Sequence, residues 1–184
     1  MRKNFGKQTW LYPLPVLIVA SYDENGKANA LNAAWGGIYD TNQVVICLSE
    51  HKTTDNILKS KAFTVSFADA KHVVEADYVG IVSANDVSNK MEIAGFHTVK
   101  SEFVNAPIIE EFPLTLECKL LKVSEDGNLI GEIVNVSADE RILGADGKPD
   151  TDKLEIISFD PVHAEYRILG GKVGNAFRDG AKIK

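Results

Sequence analysis

The sequence predicts a mainly β protein, an antiparallel barrel with a few inserted helices, on three observations. Eight segments are rich in β-branched and aromatic residues and are bounded by turn residues. Asn25-Gly26 and Asp126-Gly127 each separate two such segments, and these dipeptides supply the positive φ angles that tight hairpins need. The segments do not alternate with helices as in a doubly wound sheet, and closing an antiparallel sheet removes its edges. At 184 residues the chain reads as one domain, 1–184, long enough for a sizeable core.

The first strand, PVLIVASY (15–22), turns at Asn25-Gly26 into KANALNAA (27–34). QVVICLS (43–49) and AFTVSFA (62–68) follow, separated by TTDNILKSK, whose hydroxyl residues suit a helix cap and whose Ile57 and Leu58 share one side. HVVEADYVGIV places Val74, Tyr78, Ile81 and Val82 at helical spacing. DVSNKMEIAG offers Asp86 as an N-cap and Gly95 as a stop. LTLECKLLKV (114–123) alternates at its start, so one face is buried, and it turns at Asp126-Gly127 into NLIGEIVNVS (128–137). Asp146-Gly147 marks a turn before LEIISF (154–159) and HAEYRI (163–168).

A net charge of −6 and a pI near 5.2 argue against nucleic-acid binding by bulk charge, while leaving room for a local pocket that takes one small anion. No apolar run is long enough to span a bilayer, and MRKNFGKQTW has no apolar signal region, so a cytoplasmic protein without a membrane partner is expected. Cys47 and Cys118 lie far apart in strand-like contexts and read as buried, reduced thiols. The four histidines are scattered without metal-ligand spacing, so no metal is expected. Neither a nucleophile elbow nor a P-loop is present, and no side chain is assigned a catalytic role.

Two stretches stand out. In NALNAAWGG (29–37), Asn29 and Asn32 offer amide donors and acceptors, Ala30, Ala33 and Ala34 leave room, and Gly36 and Gly37 permit close approach of a backbone. A flat heteroaromatic ring would suit this surface. On composition alone, a small-residue strand packed against a helix is the stronger reading. In SEHKTTDNI (49–57), a helix opens directly after a strand, so its first N–H groups, Lys52, and the hydroxyls of Ser49, Thr53 and Thr54 make the parts of a phosphate site. A plain N-cap with an exposed lysine is the simpler alternative. The glycines of YRILGGKVGNAF have the wrong spacing for a dinucleotide fingerprint.

Taken in order, YPLPVLIVASYDENGKANALNAAW, LSEHKTTDNILKSKAFTVSF, APIIEEFPLTLECKL and YRILGGKVGNAF resemble the flavin reductase-like, FMN-binding split-barrel family, and its flavoredoxin branch in particular. The resemblance implies a split barrel and FMN as cofactor. The isoalloxazine would lie against 29–37, at Asn29, Ala30, Asn32, Ala34, Trp35 and Gly36. The phosphate would fall on Ser49, Lys52, Thr53 and Thr54, with Asn56 one turn further on and Lys90 reaching in from its own segment. Gly36-Gly37 stands where relatives often carry a hydroxyl residue, which shifts that contact to backbone. The family also implies a homodimer with the flavin between subunits, and a reduced nicotinamide or a small redox protein as electron donor. An FMN-dependent oxidoreductase and a non-catalytic flavin electron carrier both remain compatible with these residues.

Overall fold

Leu17, Ile18, Val19 and Ala20 are all buried, because the strand they form is covered on both faces. The computed structural model, which describes residues 1–183, builds its architecture around that strand. In chain order the elements are β1 (Leu14–Pro15), β2 (Leu17–Tyr22), β3 (Ala28–Ala33), β4 (Gly36–Asp40), β5 (Gln43–Ile46), α1 (Lys52–Ser60), β6 (Ala62–Phe67), α2 (Val73–Ile81) and α3 (Lys90–Ile93). Then come β7 (Thr98–Lys100), β8 (Pro107–Ile109), β9 (Leu114–Val123), β10 (Leu129–Ala138), α4 (Thr151–Leu154), β11 (Ile157–Asp160) and β12 (Glu165–Ile168). Seven strands form one curled antiparallel sheet in the order β3-β2-β6-β9-β10-β5-β4, with β1-β11-β12 and β7-β8 as smaller sheets. This is the split barrel expected from the sequence.

Strand alternation sends side chains into two cores. Leu17, Val19, Leu31 and Ala33 point into the barrel with Ile46, Phe63, Val65, Cys118 and Leu129, and Ile57 of α1 closes that interior. Ile18, Ala20 and Ala30 point outward onto Ala76 and Val79 of α2, Phe96, Ile109 and Ile157. α2 comes so close to β3 that a Cβ on its Gly80 would stand 3.0 Å from Asn32 Cβ.

The sheet curls at two glycines. A Cβ on Gly131 of β10 would collide with Phe63 Cζ, and the β9–β10 ladder shifts register between Ile130 and Gly131. At the far edge, a Cβ on Gly36 would meet Leu17 Cδ1 at 2.8 Å and Val45 O at 3.0 Å. Gly36 therefore makes room for the protein's own β2. It also opens a strand, β4, that the sequence pattern does not announce. The segment DVSNKMEIAG shrinks to the single turn α3. Asn89 rather than Asp86 precedes that turn, and Gly95 ends it at φ +72°.

Gly36→Ala should cost about 1–3 kcal/mol of stability by overpacking. Gly37→Ala, with nothing within 4 Å of its added methyl, should stay within about 0.5 kcal/mol. Urea denaturation of the two variants measures the contrast.

Candidate functional site

α1 starts without a side-chain cap. His51 precedes it in extended conformation and makes no cap bond, and the first intrahelical bond runs from Asp55 N to His51 O at 3.1 Å. The earlier N–H groups have no intrahelical acceptor and carry the positive end of the helix dipole. The local hydroxyls are turned to other work. Thr54 Oγ1 donates to Ser49 O at 2.9 Å, Ser49 Oγ pairs with His51 Nε2 at 3.0 Å, and Thr53 Oγ1 accepts from Asn29 Nδ2 at 2.8 Å. Lys52 is half-buried and enters no ion pair among the described residues.

The structure thus brings Asn29, Ser49, Lys52, Thr53, Thr54 and Asn56 to one end of the barrel. Asn29 and Asn56 are buried, and Asn29 Oδ1 and Asn56 Nδ2 have no hydrogen-bond partner among the described residues. A cavity of about 580 Å³ opens beside this helix start, lined by Ser49, Thr54, Glu50, Asp55, Asn85 and the β9–β10 turn. Glu50, Asp55 and Asn85 were not singled out in the sequence. Asn85 comes from a loop after α2, and no local pattern ties it to residues 49–54.

Asn32 does not join Asn29. Three positions along a strand put the two side chains on opposite faces. Asn32 Nδ2 donates to Ala76 O of α2 at 3.1 Å and lies 3.5 Å from Tyr166 Oη. Tyr166 in turn donates to Asp77 Oδ1 at 2.7 Å, and burial, reinforced by Asp77, pushes its phenol up to about 12. Ala30 is fully buried against α2. The side chains of Ala30 and Asn32 therefore serve the packing of a strand on a helix. Ala34 and Trp35 continue to the barrel edge, where Trp35 O accepts from Cys47 N at 2.8 Å and the indole is 56% exposed. A second cavity, of about 590 Å³, lies there between Trp10, Leu11, Trp35, Gly36, Val45 and Cys47.

Lys90 departs furthest from expectation. It is 3% exposed, and its ammonium donates to Val79 O at 3.1 Å and Val82 O at 2.8 Å. It neutralises the carbonyl end of α2, where a cation meets the negative end of the helix dipole. It lines neither cavity described above. Both thiols are free, and burial pushes that of Cys118 up to about 12.

Burial lowers the Lys90 pKa to about 8. The unfolded chain, near 10.5, then binds the extra proton between these two values, so stability rises with pH across that window. Relative to Lys90→Met, the wild type should gain stability from pH 8 to pH 10.5, as read by denaturant midpoints at each pH. An unchanged difference would place the ammonium in solvent.

A family model described as "Flavin reductase like domain" matches residues 9–152. The structure is similar to that of the flavoredoxin of Desulfovibrio vulgaris (Miyazaki F), at a TM-score of 0.94 and 36% identity, covering 98% of this chain and 100% of that one. It is also similar to the flavoredoxin from Methanosarcina acetivorans, at a TM-score of 0.89 and 25% identity over 100% of both chains. An uncharacterized protein of Aeropyrum pernix is 29% identical over 122 residues, 64% of this chain. The match spans 46% of that relative's length.

Proposed function

Because the chain belongs to the flavin reductase-like domain family, we propose that this flavin-related oxidoreductase module binds FMN and passes electrons through it. The donor proposed is a reduced nicotinamide or a small redox protein. The observation that carries the reading is the uncapped start of α1, with Lys52 beside it and a cavity alongside. The residues fit a phosphate: N–H groups without intrahelical acceptors at the positive end of a helix dipole, and an ammonium in no ion pair among the described residues. Asn29 Oδ1 and Asn56 Nδ2 leave further hydrogen-bonding capacity on the two elements that meet there. One such cluster suits FMN better than FAD, whose adenylate would need its own donors.

When bound, FMN supplies a ring that accepts a hydride or single electrons. Lys52 and the N–H groups of α1 would hold the phosphate. The backbone of 34–36 and the exposed indole of Trp35 would border the ring and keep water from it. Ala30 and Asn32 would act from behind, by fixing β3 against α2. No proton-transferring side chain is needed for such a step, in keeping with the absence of an assigned catalytic residue. A homodimer is proposed because Trp10, Leu11, Trp35, Ile38 and Tyr39 are all exposed near this edge, a grouping that a second subunit would cover. The setting proposed is the cytoplasm.

Lys52→Ala removes a charge-assisted hydrogen bond, a loss of about 1.5–3 kcal/mol, so FMN affinity should fall roughly ten- to hundredfold. Affinity for riboflavin, which lacks the phosphate, should barely change. Titrations of both ligands by flavin fluorescence test this, and equal losses would move the phosphate elsewhere. Bleaching of bound flavin by NADH or NADPH separates an enzyme from a carrier that is reduced only by another protein.

A further inference from the structure

The last hydrogen bond that ties the end of the described chain to the body is Leu169 N to Ile156 O, at 3.0 Å. Beyond it, the hydrogen bonds of residues 170–183 stay within the segment. Arg178 N and Asp179 N donate to Asn175 O, Ala181 N donates to Arg178 O, and Asn175 N donates to Asp179 Oδ2 at 2.8 Å. Lys182 pairs with Asp179 at 2.9 Å. The tip therefore holds its own shape without leaning on the body.

Among the described residues its apolar side chains have nothing to pack on. Val173 is 104% exposed and Phe177 109%, and Phe177 sits at φ +62°, a left-handed conformation that costs a non-glycine residue energy. Exposed aromatic groups on an ordered arm are anchors without a pocket. The second cavity, between Trp10, Leu11, Trp35, Val45 and Cys47, is a pocket without an occupant of its own chain, and no charged residue lines it.

Charge draws the arm toward the body as a whole. Residues 169–184 carry Lys172, Arg178, Lys182 and Lys184 against Asp179, a net +3, so the remaining chain, from the total of −6, carries −9. A basic arm is drawn to the acidic body of another copy over a range of about a Debye length.

We propose that residues 170–183 form an exchange arm that crosses to a second copy of this chain and seats Val173 and Phe177 in its groove at Trp10, Trp35 and Cys47. The proposal deepens the homodimer proposed above and rests on it. The arm would then roof the partner's edge beside Trp35, so that each subunit completes the other's site.

Phe177→Cys provides the test, because the native Cys47 thiol waits in the groove. Mild oxidation should give a covalent dimer on a non-reducing gel, and adding Cys47→Ser should abolish it. Deleting 170–184 should raise the dimer dissociation constant at least tenfold by sedimentation, with the circular dichroism of the fold retained. A disulfide closed within one chain would overturn the proposal by seating the arm on its own body. So would a truncated chain that dimerises as tightly as the wild type with no crosslink, and that result would leave the homodimer standing. A monomeric wild type would remove both.

Discussion

The curl of the seven-stranded sheet depends on two places where no side chain can stand. Phe63 crosses the barrel interior to lie on Gly131, and Leu17 presses on Gly36 at the opposite edge. Interiors pack at crystal-like density, so an added methyl at either point has to displace a ring or a strand. With both positions bare, the β5–β4 edge can come round to face β2. The barrel then has an inside, and its open end has the size of one short helix.

That helix is α1. Ile57 is fully buried in the barrel core, a contribution of about 2–3 kcal/mol. Thr53 and Asn56, four and one positions before it, are buried too. Tight apolar packing thus sets the depth of the helix. Thr53 links it to Asn29 of β3, and the start of the helix is left facing out without intrahelical acceptors for its first N–H groups. The proposed anion site follows from closing the barrel, since the plug that fills the core has to begin at the rim.

Much of this was legible in the sequence. The strands at 17–22, 28–33, 62–67, 114–123 and 129–138 follow from β-branched and aromatic enrichment between turn residues, and the helix at 52–60 from a segment that sets Ile57 and Leu58 on one side. β4 was hidden because Gly36-Gly37 has low strand propensity and becomes a strand only where β5 supplies its ladder. Asn29 and Asn32 look alike in sequence, yet parity divides them between the barrel mouth and α2. Lys90 was expected to reach in toward the flavin. Its place at the end of α2 depends on two carbonyls eight and eleven positions earlier, which no local pattern reports. Asn85 reaches the cavity for a similar reason, through the packing of distant loops.

Electrostatics adds one more constraint on the site. The chain is acidic overall, and Glu50 and Asp55 line the cavity in which Ser49 and Thr54 stand. A phosphate approaching it meets repulsion at long range, screened within about 8 Å at physiological ionic strength. In the proposed reading, attraction comes from donors at the helix start: the N–H groups of α1 and the Lys52 ammonium. Short, directional bonds discriminate between anions better than a diffuse basic field does, because they require the ligand's oxygens to fall in particular places. An acidic protein whose proposed site pairs the uncapped start of α1 with Lys52 would suit a single phosphoryl group better than the polyanions that a basic surface attracts.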